Sequence, residues 1–306
     1  MDSQSRGTLG SSLGKKFRGG KIVVAPGVFN PISALIAQEA GFEALYFSGG
    51  GFANSLGLPD LGVTTMTEVI GAVSCIVNRV KLPMIVDVDT GFGEAVNVSR
   101  VVKELEGMGV AAMHIEDQVM PKRCGHLAGK QVTAVDEMVK KIVAAKESTR
   151  KGLLLIARTD SRSVEGFDAA VERARVYAKS GADMVFPEAL ESREEFMEFA
   201  KKVRVPLMAN MTEFGRTPYI SVAEFERMGY AIVIFPMTAF RASLKAIEEV
   251  YRELKKSGTQ VGMLDHMMTR EAIYSLIGYY DYEEYDLRAA RRAGEILKSS
   301  RSVSTS

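Results

Sequence analysis

Pro83-Met84-Ile85-Val86-Asp87-Val88-Asp89 is the stretch on which the reading of the fold turns. Its apolar residues run together before they meet two acids. A strand with one wet face alternates apolar and polar residues, whereas continuous apolarity marks a strand buried on both faces, as in a parallel sheet covered by helices. The flanks agree. Residues 94–108 have helical composition and stop at Gly109, a good C-terminal cap, and residues 65–79 read as a helix on the other side.

Outward from this stretch the same unit recurs along the chain. Residues 21–28, 44–47, 83–89, 111–117, 153–160, 184–188, 206–212 and 231–237 read as eight short apolar strands, alternating with about eight helices. The pattern predicts a closed (β/α)8 TIM-type barrel, with a doubly wound open sheet as the alternative. Residues 1–20, rich in Ser, Gly, Lys and Arg, are expected to be a flexible tail and capping segment, 21–257 the barrel, and 258–306 a C-terminal helical extension. That extension exceeds what a barrel needs. With Tyr279, Tyr280, Tyr282 and Tyr285 in it, packing against a partner subunit or its own barrel is expected.

Composition narrows the class of partner. Hydrophobic residues at 46%, charged residues at 25% and a net charge of +1 give no excess that would draw nucleic acid or an anionic membrane, so a small molecule is expected. No run approaches the roughly 18 apolar residues of a membrane span, which predicts a soluble chain. Cys75 and Cys124 are the only cysteines, too few for a disulfide framework, and a reducing cytoplasm fits best. Cys75, inside Val73-Ser74-Cys75-Ile76-Val77, is expected to be a buried core thiol.

The strand ends collect polar groups. The second strand runs into Ser48-Gly49-Gly50, the third ends in Asp87 and Asp89, and the fourth in Glu116 and Asp117, followed by Lys122, Cys124 and His126. The fifth ends in Arg158 and Asp160, the sixth in Glu188, the seventh in Asn210 and Thr212, and the eighth leads to Thr238 and Arg241. Barrels of this type carry their active sites at that rim. Asp87 and Asp89, two apart on a strand, should point the same way and repel unless a cation lies between them, which suggests a hard divalent ion such as Mg²⁺ completed by water and substrate oxygens. Glu116 and Asp117 could hold the water ligands. Arg158, Arg241 and Arg270 are available to clamp carboxylates, and the Gly-rich turn from Ser48 to Gly51 adds backbone donors. In Pro121-Lys122-Arg123-Cys124-Gly125-His126 a thiol stands between two cations and an imidazole, a setting that favours a thiolate. Gly125 and Gly129 in the same loop suggest a hinged lid. Gly91-Phe92-Gly93 has Val96 where a third glycine would complete a dinucleotide motif, so that motif fails.

Lys122-Arg123-Cys124-Gly125-His126 resembles the signature of the isocitrate lyase and phosphoenolpyruvate mutase superfamily, in the form its lyases carry. Tyr46-Phe47-Ser48-Gly49-Gly50-Gly51, Ser55-Leu56-Gly57-Leu58-Pro59-Asp60, Asp87-Val88-Asp89-Thr90-Gly91-Phe92-Gly93, Ala157-Arg158-Thr159-Asp160, Phe186-Pro187-Glu188-Ala189 and Asn210-Met211-Thr212-Glu213-Phe214-Gly215 resemble its 2-methylisocitrate lyase branch, over residues 13–290. The loop between Gly51 and Ser55 looks a residue shorter than is usual there.

The resemblance implies a Mg²⁺-dependent lyase, with Mn²⁺ as an alternative ion, that cleaves 2-methylisocitrate to pyruvate and succinate in a retro-aldol step. It implies that Asp87, Asp89 and Glu116 serve the metal, directly or through water, and that Ser48, Gly49, Gly50, Gly125, Arg158, Glu188, Asn210, Thr212, Arg241 and Arg270 hold the small carboxylic-acid substrate. Cys124 would be the acid that protonates the succinate carbon, tuned by Lys122 and His126, with Asp60 or Tyr46 removing the hydroxyl proton. A homotetramer, a dimer of dimers exchanging its last helix, is also implied. Isocitrate or 2,3-dimethylmalate as substrate, and a catalytically silent barrel that only binds, are the other readings.

Overall fold

The computed structural model describes residues 9–303. The expected tail at 1–20 therefore lies partly outside the described residues, while Leu9–Arg18 is a helix. Contacts divide the chain into two compact units, the first ending at Lys245 and the second beginning at Ala246.

The first unit is the barrel. Its strands are β1 (Val23–Val28), β2 (Leu45–Phe47), β3 (Met84–Asp87), β4 (Ala112–Glu116), β5 (Leu154–Thr159), β6 (Met184–Pro187), β7 (Met208–Asn210) and β8 (Ile232–Phe235). They form an eight-stranded sheet in the order β6-β5-β4-β3-β2-β1-β8-β7, every named pairing parallel. A parallel bridge between Val185 and Leu207 joins the two ends, with the Val185 amide donating to the Pro206 carbonyl at 3.0 Å. That closure makes the sheet a barrel and decides against an open sheet.

Burial on both strand faces follows the sequence. Tyr46, Ile85, Ile156, Met184, Phe186, Met208 and Ile234 pack together with Leu13 and Phe17 of the Leu9–Arg18 helix in one apolar cluster. That helix stands at the N-terminal end of the strands. A side chain at Gly10 would strike the carbonyls of Gly152 and Ala111, the residues leading into β5 and β4, so the close approach requires glycine. Val185, Ala209 and Val233 face a second cluster, beneath Phe196, Phe199 and Phe225 of the outer helices.

Three local expectations are corrected. Asp89 is beyond the end of β3, in a turn with φ +48°, so the two aspartates are not both strand residues. Residues 49–51 belong to a short helix, Gly49–Ser55, capped by the Ser48 hydroxyl accepting from the Gly51 amide at 3.1 Å, rather than to an open turn. Cys75 is exposed, because Val69, Val73 and Ile76 take the buried face of the helix Met66–Val77 and leave the thiol on the outer side.

The second unit holds a 3₁₀ turn, Val261–His266, and the helices Arg270–Ile277 and Tyr279–Val303, which meet at Gly278 in the left-handed conformation. Tyr274 stacks on Tyr279 with ring centres 4.4 Å apart, while Tyr280, Tyr282, Tyr285 and Leu287 are exposed. No helix among the described residues is long and apolar enough to cross a membrane.

Candidate active site

The parallel register delivers charged residues to one end of the barrel. Asp87 pairs with His114 across β3 and β4, and Glu116 with Arg158 across β4 and β5, so each polar group arrives beside another at the C-terminal ends. There a cavity of 130 Å³ is lined by Tyr46, Ser48, Gly50, Asp60, Asp87, Lys122, Cys124, Gly125, His126, Arg158, Glu188, Asn210, Thr212 and Arg241. Most of the site residues read from the sequence thus meet in one place. Gly49, Asp89 and Glu116 are adjacent to it, and Arg270 is in the second unit, exposed in the first turn of its helix.

Asp87 is fixed by backbone donors. Its Oδ2 accepts from the Gly49 amide at 3.1 Å and its Oδ1 from the Asp89 amide at 3.0 Å. A side chain at Gly49 would collide with Asp87 Oδ2 and crowd Asp89 Oδ1, so glycine here lets both carboxylates converge. Burial and then repulsion from Asp87 push the Asp89 carboxyl up to about 6, against the pull of Lys122. Asp87 moves the other way: burial opposes its ionisation, but His114, Lys122 and Arg158 hold it below the usual carboxylate range.

The residues fit a hard divalent cation held by few protein ligands. Asp89 Oδ1 forms an ion pair with Lys122 Nζ at 2.7 Å but receives no aligned hydrogen bond. Both Glu116 oxygens are in the same state, although Oε2 lies 3.1 Å from Arg158 Nη1. Buried oxygens with unused lone pairs call for water or a cation. Among the described residues, no three His, Cys, Asp or Glu side chains are arranged to enclose an ion by themselves. Two carboxylates completed by water and substrate oxygens remain, the coordination Mg²⁺ tolerates best.

Asp117 does not belong to this set. Its Oδ2 accepts from the Thr159 hydroxyl and the Tyr177 hydroxyl, each at 2.8 Å, and its Oδ1 from the Asp160 amide at 2.8 Å. Arg173 Nη1 is 3.4 Å away. β4 ends at Glu116, which faces the site, and Asp117 just beyond it is spent on a buried knot behind.

The loop after β4 carries the thiol. The cations flanking Cys124 in sequence are engaged elsewhere: Lys122 with Asp60 and Asp89, Arg123 with the Ala128 carbonyl at 3.2 Å. His126 Nδ1 accepts from the Arg216 amide at 3.0 Å, and its Nε2 is 2.9 Å from Glu188 Oε1. Burial, with help from Asp60 and Glu188, pushes the Cys124 thiol up against the His126 backbone amide and the Arg158 charge. The expectation of a stabilised thiolate is corrected: Lys122 is spent on carboxylates and Arg123 on a backbone carbonyl, and burial favours the protonated thiol.

Two side chains at the site carried no sequence-based expectation. His114 lies beneath Tyr46, with Nε2 2.7 Å from its hydroxyl, and burial lowers its ring to about 4, so it is neutral. Its position two residues before Glu116 on the same strand was the available signal. Glu213 Oε2 takes Arg241 Nη1 at 2.8 Å, holding that guanidinium beside Thr212. Asn210 Nδ2 donates to Glu188 at 3.2 Å, leaving its Oδ1 without a partner.

A barrel rim that gathers buried carboxylates, cations and one protonated thiol around a small cavity defines a site for acid–base chemistry on a small polyanion. Residues 15–255 match the phosphoenolpyruvate phosphomutase family. The chain belongs to that phosphoenolpyruvate mutase/isocitrate lyase superfamily. A 2-methylisocitrate lyase of Aeropyrum pernix is 58% identical over 276 residues, covering 90% of this chain and 89% of that protein. The crystal structure of a 2,3-dimethylmalate lyase superposes with a TM-score of 0.86 at 37% identity, over 93% of this chain and 95% of that one. A phosphonopyruvate hydrolase in complex with oxalate and Mg²⁺ does so with a TM-score of 0.81 at 27% identity, over 94% and 98%.

Proposed function

We propose that this chain cleaves 2-methylisocitrate to pyruvate and succinate in a Mg²⁺-dependent retro-aldol step. The observation that carries the reading is the buried Cys124 thiol in the same cavity as Asp87, Arg158 and Asp60, where burial favours its protonated form. Breaking the carbon–carbon bond requires an alkoxide on one side and a proton delivered to carbon on the other. Asp87 and Asp89 would hold a Mg²⁺ ion, which would supply Lewis acidity at the substrate hydroxyl. The Cys124 thiol supplies the proton.

The remaining groups bind, orient and hold protons. Arg158 is fixed by two hydrogen bonds to Asp160, at 2.9 and 3.1 Å, and presents its charge to a carboxylate beside Glu188. Arg241, Asn210, Thr212 and Ser48 serve the substrate's other oxygens. Asp60 is the better of the two candidate bases. Burial and then Asp87 raise the Tyr46 hydroxyl well above its ordinary value, which suits it to donating hydrogen bonds rather than to accepting a proton from substrate. Lys122 stays an ammonium, because burial is overcome by Asp89, Glu116, Asp60 and Asp87, and it screens the carboxylates from one another.

The identity to a 2-methylisocitrate lyase favours that substrate over 2,3-dimethylmalate, the acid named for the superposed lyase. A side-by-side assay of 2-methylisocitrate, isocitrate and 2,3-dimethylmalate, following release of the 2-oxo acid, decides among them. The highest kcat/KM is expected for 2-methylisocitrate, and equal or greater turnover of either other acid overturns the assignment. The exposed tyrosines of the second unit support a role for residues 258–306 as a helical extension between subunits of a homotetramer, in a cytoplasmic enzyme.

A further inference from the structure

Lys130 is a buried cation that the chemistry above does not use. It is outside the cavity lining, its side chain is 1% exposed, and its Nζ makes an ion pair at 2.8 Å with Asp160, itself fully buried. The same Nζ donates to the carbonyl of Gly125, the residue after Cys124. Asp160 in turn holds Arg158 through Nε and Nη2. One ammonium therefore connects the thiol loop to the guanidinium that faces the substrate.

The loop needs such a tie. Its base is closed, with Gln118 bridged to Val132 and the Val119 amide donating to the Gln131 carbonyl at 2.9 Å. Its tip reaches the barrel through Lys122 and His126, both lining the cavity where a substrate would compete for them. Lys130 makes its contact away from the substrate. Gly125 leaves no slack, since a side chain there would run into Glu188. A shift of about 1 Å at a reacting group can cost a hundredfold in rate, so a contact that fixes the Gly125 carbonyl fixes the thiol beside it.

We propose that Lys130 is a positioning residue, a latch that holds the Cys124 loop closed against Asp160 and in register with Arg158. The proposal rests on the lyase reading for its kinetic consequence but not for its structural one. In a Cys75→Ser background, where Cys124 is the only thiol, Lys130→Met is expected to let iodoacetamide alkylate Cys124 about tenfold faster, because the loop opens more often. On 2-methylisocitrate the same variant should lose about a hundredfold in kcat with little change in KM, and Lys130→Arg should recover part of both. A folded Lys130→Met with wild-type alkylation and wild-type kcat overturns the latch, since a merely structural ion pair predicts lower melting temperature alone. If Lys130→Met does not fold, Lys130→Gln, one bond shorter and uncharged, cannot span Asp160 and the Gly125 carbonyl together and is read the same way: faster alkylation supports the latch, an unchanged rate overturns it. Alkylation needs no turnover, so failure of the substrate assignment leaves that arm intact, whereas failure of the latch leaves wild-type turnover untouched.

Discussion

The two ends of the barrel are built from the same strands and do opposite things with buried polarity. At the N-terminal end, Leu13 and Phe17 fill the opening and lie among alanines, valines and isoleucines. At the C-terminal end, Asp87, Asp89, Glu116, Arg158 and Glu188 are just as buried, and oxygens of Asp89, Glu116 and Asn210 lack hydrogen-bond donors. Burying charge costs stability unless it is paired. An end that is apolar and satisfied has been settled by packing; an end that is charged and unsatisfied is arranged for something that arrives from outside.

Metal removal is the harshest way to break that contrast. Exhaustive chelation should take activity on 2-methylisocitrate to background, and added Mg²⁺ should restore it. Full activity after chelation removes the metal from Asp87 and Asp89. Next in size is the acid. Cys124→Ser replaces a thiol by a far weaker acid in the same place and should lower kcat about a thousandfold with KM nearly unchanged. The pH dependence tests the same point. Cys124 is raised by burial first, and then by Asp60 and Glu188, so the proton it is proposed to donate is present through neutrality. Its contribution to kcat should be level there and fall only above the ordinary thiol range, about 8.5. Activity that climbs with pH across that range would identify a thiolate nucleophile instead.

The same contrast separates what could be read from sequence from what could not. Continuous apolarity in residues 83–86 and its repeats is a local consequence of two-sided burial, so the barrel and its polar rim were legible residue by residue. Asp87, Arg158, Glu188 and Asn210 sit at strand ends and were legible for the same reason. Pairings between distant residues were not. Whether a basic residue next to Cys124 in sequence faces the thiol or another group depends on the return path of a loop, and Lys122, Arg123 and His126 all turn elsewhere. Lys130 reaches back five residues to Gly125 and across to Asp160, which no spacing rule encodes. Asp117 and Glu116 are adjacent acids whose roles diverge at the end of β4, where Glu116 faces the site and Asp117 turns to Thr159 and Tyr177.

The smallest expected effect on catalysis comes from the opposite end, and it is the sharpest check on the comparison. Leu13 is fully buried in the cluster that includes Val23, Ala111, Ile156 and Ile232. Leu13→Ala removes apolar contact and leaves a cavity that the surrounding strands can only partly close, which should cost about 3 kcal/mol of stability. The interior layers of Tyr46, Ile85, Met184 and Phe186 stand in the same cluster and bear the strand ends above them. Because close-packed interiors resist continuous deformation, the rim should keep its geometry as long as the barrel is folded. Chemical denaturation should therefore show a lower midpoint, while kcat and KM on 2-methylisocitrate stay within about twofold of wild type at temperatures where the variant is folded. A variant that loses stability and kcat together would mean that the apolar end sets the position of the catalytic groups as well as the fold, and that the two ends are mechanically one.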